Sequence, residues 1–503
     1  MTPLLKRLTD APPLTQLAAA VVLLTAARIA ILIATPLNLG PDEAQYWSWS
    51  LTPAFGYFSK PPMIAWIIGA STAMCGDGEA CIRISAPLFH AASAFAVYFA
   101  ARAFYDERVG FWSALTYAVM PGTSFSSLLI TTDVPLLFFW ALSLCALAEL
   151  RRTMNLKWAV LLGVAIGLGL LSKYAMLYFL LGLAIAYLPT AAGRSFIFSR
   201  AGLVAALAAI AIFAPNVLWN AFNSFATVSH TASNANWNAA NLFNFKSFFS
   251  FLGAQIGIIG PIAAGLIVWG LIKGWRGRNY DHPDTLLLAL SLPIIAIVAV
   301  QAFISRANAN WAAPAFVALT ILVCAWALRQ QRTRLLLANT GLNVLIGVIV
   351  ALLAVSPAFV SAVGQENSVK RLRGWPEAGA QIVSLAASND VAAILSDDRE
   401  DMASLFYYTR ARTQPLRMWP KLHAGNEYEA AYALRADEAS NVIFVTRRTD
   451  STDVTSAFAD AQRIATIETR LDSKRTRIFF VFKLVGPLNE DVFRKFFNRP
   501  STE

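Results

Sequence analysis

The chain has 503 residues, of which 57% are hydrophobic and 14% charged, with a formal net charge of +11 at neutral pH. A mean hydropathy of +0.53 and repeated long apolar runs exclude a soluble enzyme and give a polytopic membrane protein. The positive balance does not point to nucleic acid, because the basic residues between apolar runs sit in short loops, where the cytoplasmic bias toward Lys and Arg accounts for them.

The first apolar run, from about Leu14 to Leu37, follows Lys6 and Arg7. It is long for a signal-peptide core and carries Arg28 inside it, so a retained first span is expected. The stretch from Asn38 to Trp66 is too polar to cross a membrane. It holds an acid pair, Asp42 and Glu43, a lone Lys60 before Pro61-Pro62, and the rings Tyr46, Trp47, Trp49, Phe55, Tyr57, Phe58 and Trp66. Proline fixes φ and restricts the residue before it, so Lys60 is presented at a defined angle. Charges and amphipathic rings beside an apolar span suit a polar head group on a lipid stem: the acids can take a proton and the lysine can meet a phosphate. The same residues also fit a plain interfacial belt.

Met63 to Met74 is apolar but short and reads as an interfacial or re-entrant helix. Cys75 and Cys81 bracket a polar loop and can pair if that loop is extracytoplasmic, whereas Cys145 and Cys324 read as small core residues. Further spans are expected near 84–105, 109–130, 134–150, 157–172, 174–190, 201–219, 248–272, 285–304, 311–328 and 334–358, roughly eleven with the first. Asn234 to Asn241 reads as a polar loop. His230, before it and near Trp237, could contact a sugar or be a surface histidine, and the 4 histidines show no zinc spacing.

With a cytoplasmic N-terminus and alternating spans, one side collects Lys6, Arg7, Arg108, Arg151, Arg152, Lys157, Arg194, Arg200, Lys273, Arg276, Arg278, Arg329, Arg332 and Arg334. The other side receives only Lys60, Arg83, Lys173, Lys246 and Arg306, the asymmetry that the positive-inside rule predicts. Asp42, Glu43, Lys60, Asp77, Glu79, Asp133, Lys173, His230 and Arg306 then share the outer face. From about Ser361 the composition turns mixed polar and charged, with length enough for one small domain. Apolar runs at Val391–Leu395, Asn441–Val445 and Arg477–Val485 alternate with helix-like Glu377–Ala387 and Tyr428–Arg435, which suggests an α/β domain. An odd number of spans puts it outside. The expected organisation is a membrane domain over 1-360, with outer loops 38-83 and 220-247, followed by a soluble α/β domain over 361-503. The run from Ser396 to Asp401 reads as a solvated loop or as a surface for an acceptor.

Six motifs run in order through the first part of the chain: Asp42-Glu43; Gly56-Tyr57-Phe58-Ser59-Lys60-Pro61-Pro62; Gly76-Asp77 with Glu79 and Arg83; Thr132-Asp133-Val134-Pro135-Leu136; Gly167 to Tyr174; and Asn310-Trp311 with Pro314. In these the chain resembles the polytopic glycosyltransferases of the GT-C fold that use a polyprenyl-phosphate sugar, among them the lipid A aminoarabinose transferases and, more distantly, the protein O-mannosyltransferases. The resemblance implies a multi-pass transferase of the bacterial inner membrane with a periplasmic C-terminal domain. Its donor would be a sugar on a lipid such as undecaprenyl phosphate, and its acceptor lipid A or lipopolysaccharide, another glycan or a protein, all among membrane lipids.

By position in the family's motif, Asp42 is the candidate base, with Glu43 a helper or a solvated structural acid. Asp133 would join Asp42 if the outer loops meet, and the two could then hold a divalent metal; no other cofactor is implied. Asp133 could equally cap the helix starting at Val134. Lys60, Lys173 and Arg306 are candidates for the donor phosphate, although such lysines also snorkel to lipid head groups. Tyr57, Trp47, His230 and Asn310 are the candidates for substrate contacts. Departures from the family are Ser59, where relatives tend to have an acid, and the Ser-Arg-Ala-Asn-Ala before Asn310, where Arg306 can stand for a lysine. Two other classes remain open: a lipid-linked sugar transporter or flippase, and a non-catalytic scaffold. A carrier favours ionisable residues near span midpoints, whereas here they cluster at span ends, with Arg28 the exception.

Overall fold

The computed structural model describes residues 11–233, 243–277, 282–421 and 424–488. The Asn234 to Asn241 loop with Trp237 lies outside them. The chain divides into two compact units, Met1–Thr35 with Lys60–Ala354 and Pro36–Ser59 with Val355–Glu503.

The first unit is helical. Pro13–Ala34, Glu79–Phe104, Asp133–Thr153, Arg200–Phe222, Pro283–Ile304 and Thr333–Val355 are long and apolar enough to cross a membrane, and Met63–Cys75, Leu156–Ser172, Tyr174–Tyr187 and Ala315–Arg329 are shorter apolar helices. Small residues set the tightest packing. A Cβ on Gly163 would lie 2.2 Å from the Ala205 carbonyl oxygen, so glycine lets the Leu156–Ser172 and Arg200–Phe222 helices approach backbone to backbone.

Two expected spans are broken. The run over 248–272 is two helices, Phe245–Ile259 and Pro261–Lys273, bent by 109° across Gly260, whose φ of +93° suits glycine. The run over 109–130 ends its helix at Val119 and resumes as the short Pro121–Ser126, because Pro121 has no N–H to continue the ladder. This second break accounts for Arg28. It is buried in the Pro13–Ala34 helix, and its Nη2 donates to the Ala118 carbonyl at 2.6 Å and to Ser124 Oγ at 3.3 Å. A carbonyl freed at a helix end inside an apolar layer needs such a donor. Cys75 and Cys81 are joined as a disulfide, while Cys145 and Cys324 are free and buried.

The second unit carries a five-stranded sheet in the order β2-β1-β3-β5-β4, formed by β1 (Ala393–Ser396), β2 (Leu416–Met418), β3 (Asn441–Thr446), β4 (Phe458–Arg470) and β5 (Thr476–Pro487). β1 runs parallel to β2 and β3, and β5 is antiparallel to β3 and β4. Every residue of β1 is buried, as expected for a parallel strand covered on both faces. The Trp375–Ser388 and Arg399–Tyr408 helices pack on one face, where Trp375, Ile382 and Met402 meet Ile394, Ile443 and Phe479.

The Pro36–Ser59 segment, expected among the outer loops of the membrane domain, belongs to this second unit. Its backbone is tied in by Asn38, whose N–H donates to the Leu372 carbonyl at 2.8 Å and whose Oδ1 accepts the Trp375 N–H at 3.2 Å. The Leu39 N–H donates to the Tyr408 hydroxyl at 2.6 Å.

Candidate active site

Within the first unit the structure brings together three of the expected residues, far apart in the chain. Asp133 opens the Asp133–Thr153 helix. Lys173 Nζ donates to its Oδ1 at 2.7 Å, and Asn310 Nδ2 donates to its Oδ2 at 2.6 Å. The carboxylate is not an N-cap: Thr132 holds that position, with no side-chain capping bond.

Lys173 follows the last residue of the Leu156–Ser172 helix in extended backbone, with its N–H closing on the Gly169 carbonyl at 2.9 Å. That turn throws its side chain back to Asp133. Asn310 sits in the short 3-10 turn Ala309–Ala312. The Lys173 side chain is 21% exposed and that of Asp133 is 8% exposed, while Asn310 is exposed. The arrangement is an enclosed carboxylate whose two donors lead outward.

Two residues that sequence reasoning missed support this turn. Tyr174, next to Lys173, donates its hydroxyl to Asn216 Oδ1 at 2.9 Å and accepts from Asn220 Nδ2 at 3.1 Å. Both asparagines are buried, one helical turn apart just after Pro215. Their spacing in an apolar span was the legible signal, because polar residues at membrane depth are retained for a partner.

The other candidates of this unit are not bonded to Asp133. Lys60 is half-buried before the buried Pro61 and Pro62, and Arg306 is exposed, its carbonyl accepting from Gln301 Nε2 at 3.2 Å. His230 is half-buried on the Ala226–Ser233 helix.

Within the second unit, the Pro41–Ser50 helix carries the acid pair. The Asp42 side chain is 62% exposed and its Oδ1 accepts from Arg399 Nη2 at 3.1 Å; Arg399 Nη1 also donates to Gln45 Oε1 at 2.6 Å. Glu43, expected as a helper of Asp42 or as a solvated structural acid, is buried, and its Oε2 accepts the Gly40 N–H at 2.8 Å, so it holds the helix start as a structural acid that is not solvated. Arg399 was missed because it lies in the Ser396 to Asp401 run. That run is no solvated loop: it ends β1 and begins the Arg399–Tyr408 helix, with Asp398 Oδ1 capping Glu400 and Asp401 N–H groups at 2.9 and 3.0 Å.

Trp47 and Tyr57, expected at the substrate, are instead buried in protein contacts. Trp47 meets the Tyr407 ring edge-on at 4.9 Å. Tyr57 stacks on Trp49 at 4.7 Å, and its hydroxyl, pushed up to about 12 by burial, donates to the Trp49 carbonyl at 3.0 Å. Neither ring offers a free face to a sugar. Trp49 Nε1 in turn donates to Glu427 Oε2, and burial lifts the Glu427 carboxyl to about 7.

Among the described residues no group of three or more His, Cys, Asp or Glu side chains is placed to hold a metal ion. Each acid named for a metal already carries a cationic partner from its own unit, Lys173 on Asp133 and Arg399 on Asp42. A divalent ion at either acid would compete with that partner.

Residues 59–219 match the dolichyl-phosphate-mannose-protein mannosyltransferase family. Over 409 residues the chain is 34% identical to the lipid A galacturonosyltransferase RgtD of Rhizobium johnstonii, covering 80% of this chain and 85% of that protein. The crystal structure of ArnT from Cupriavidus metallidurans in the apo state superposes with a TM-score of 0.62 at 18% identity, over 93% of this chain and 99% of that one. The same protein bound to undecaprenyl phosphate gives 0.63 at 17% identity, with the same coverage. Fold and relatives together define a multi-pass membrane glycosyltransferase of the GT-C fold. Within that class, the chain belongs to the family that includes RgtD.

Proposed function

We propose that this glycosyltransferase moves a sugar from a polyprenyl-phosphate donor to an envelope acceptor at the periplasmic face of a bacterial inner membrane, with its N-terminus cytoplasmic and residues 361-503 periplasmic. The observation that carries the reading is the Lys173 ammonium fixed on Asp133 beside the Asn310 amide. A lipid-phosphate sugar has its leaving group built in, and charge develops on the phosphate as the anomeric C–O bond breaks. Donors already in place for that charge stabilise it without reorganisation.

Lys173 and Asn310 supply such donors, and Asp133 fixes both. Lys60 and Arg306 are the further cations proposed for the phosphate. Asp42, at the family's first-loop acid position and exposed, is the proposed base. It takes the acceptor hydroxyl proton as the acceptor oxygen bonds to the anomeric carbon and the polyprenyl phosphate departs. Arg399 positions it. Because the candidate acids carry cationic partners, the reaction is proposed to proceed on these side chains without a divalent ion and to persist in chelator.

The names of the relatives supply the substrates to test first: RgtD is a lipid A galacturonosyltransferase, and ArnT was solved with undecaprenyl phosphate. Mass spectrometry of lipid A and of the lipid-linked sugar pool, in cells lacking the protein and complemented with wild type or Asp42→Asn, tests the reading. A sugar restored on the acceptor by wild type alone, with donor accumulating otherwise, is the expected result. Full restoration by Asp42→Asn would remove Asp42 as base. A missing lipid with unchanged glycosylation would replace transfer by transport.

A further inference from the structure

A crevice of about 240 Å³ in the second unit takes no part in the roles proposed above. It lies at the carboxyl ends of the parallel strands, with β1 between β2 and β3. In open α/β sheets, connections that leave a central strand in opposite directions open a crevice at those ends, and ligands bind there. Three loops line it: Asp397 and Asp398 follow β1, Trp419 and Lys421 follow β2, and Arg447 and Arg448 follow β3. Asp401 and Asp453 complete it.

The charges of the lining select the ligand. Three cations face four acids, and both guanidiniums already lie against carboxyl groups, which leaves little free positive charge for a phosphate. The guanidiniums disfavour a metal, and among the described residues no group of three acids, histidines or cysteines is set to hold one. What remains are alternating donors and acceptors: Arg447 Nε lies 2.7 Å from Asp401 Oδ2, and Arg448 Nε lies 2.6 Å from Asp397 Oδ2. A hydroxyl both donates and accepts, so a polyol satisfies both halves of such pairs at once.

Asp401 gives the second, independent sign. It is only 1% exposed, and its Oδ1 has no hydrogen-bond partner. A buried acceptor left without a donor costs about 1–3 kcal/mol. Burial raises its carboxyl to about 7 against the pull of Arg447. On the rim, the half-buried Trp419, with Phe458 behind it at 6.3 Å between centroids, offers an amphipathic ring to the C–H face of a sugar. The volume falls below the roughly 300–1,000 Å³ of pockets for drug-sized ligands and suits a single ring.

We propose that this crevice binds one neutral monosaccharide unit, as a docking site for a glycan with no part in bond-making. The test uses full-length protein in detergent and saturation-transfer NMR with methyl galactoside, methyl glucoside and N-acetylglucosamine. At least one sugar should bind saturably, and Trp419→Ala and Asp401→Asn should each weaken it by about tenfold, 1.4 kcal/mol. Inorganic phosphate should not compete, and Asp42→Asn, which disables the proposed transfer, should leave this binding intact. No binding by any of the sugars, competition by phosphate, or equal binding in wild type and a folded Trp419→Ala protein would overturn the proposal. Binding lost only in Asp42→Asn would assign it to the transfer reaction instead.

Discussion

Asp133 and Asp284 are both buried carboxylates in the first turns of helices of the same unit, and they are used in opposite ways. Asp284 is fully enclosed and saturated: it accepts from the Tyr105 hydroxyl at 2.6 Å, Trp326 Nε1 at 2.9 Å, and Arg329 Nη1 and Nη2 at 2.9 and 3.3 Å. Asp133 has two donors, Lys173 on one oxygen and Asn310 on the other. A carboxylate with two donors on each oxygen has nothing left to exchange, so Asp284 reads as a clamp between helices. One with a single donor on each oxygen keeps lone pairs and donor N–H groups that a ligand can engage, and that difference in saturation, not burial or helix position, marks the candidate active site.

The contrast is broken or sharpened most by removing each acid in turn. Asp284→Ala strands Arg329, Trp326 and Tyr105 without their acceptor and should cost about 3–5 kcal/mol of stability, read as a large drop in melting temperature, while any folded fraction keeps its turnover. Asp133→Asn should do the reverse. It should lower turnover by about a hundredfold or more, the scale of losing preorganised donors for developing charge, with a melting temperature near that of wild type. Equal losses of stability in the two variants would erase the distinction.

The second unit offers a smaller contrast between two of its acids, Glu43 and Glu427. Glu427 is lifted to about 7 by burial, with the Trp49 bond opposing. A carboxyl raised in the folded state contributes stability below its unfolded value near 4.5 and loses it as pH rises toward 7. The loss is on the order of 3 kcal/mol, and Glu427→Gln should flatten that part of the stability profile measured from pH 4 to pH 8. Glu43→Ala removes an acceptor from the start of the Pro41–Ser50 helix and should cost about 1 kcal/mol. A steep profile retained in Glu427→Gln would show that another group carries it.

Much of this was legible in the sequence, and the rest was hidden for physical reasons. Apolar runs announced the helices, the alternating C-terminal runs announced a sheet, and Asp133, Lys173 and Asn310 could each be named. Their meeting could not, because contacts across 40 and 177 positions leave no local periodicity. The bend at Gly260-Pro261 was written in a turn dipeptide that the surrounding hydropathy masked. The capping bond of Glu43 was hidden because the N-terminal position it serves is glycine, not the Ser or Thr that marks a capping box. Trp47 and Tyr57 beside a span look the same whether they meet lipid, sugar or protein, and only the partner rings of Tyr407 and Trp49 decide. Arg399 was lost in an acidic run whose Asp401 is in fact buried.

The most direct test of the central claim is the affinity of the purified full-length protein for undecaprenyl phosphate, compared among wild type, Lys173→Ala and Arg329→Ala. Lys173→Ala should lose about tenfold or more in affinity and the folded Arg329→Ala protein none, since Asp284 holds Arg329 through two guanidinium nitrogens whereas Lys173 makes a single bond to Asp133. Unchanged binding in Lys173→Ala, or an equal loss in both, would contradict the assignment of Asp133, Lys173 and Asn310 as the phosphate end of the site.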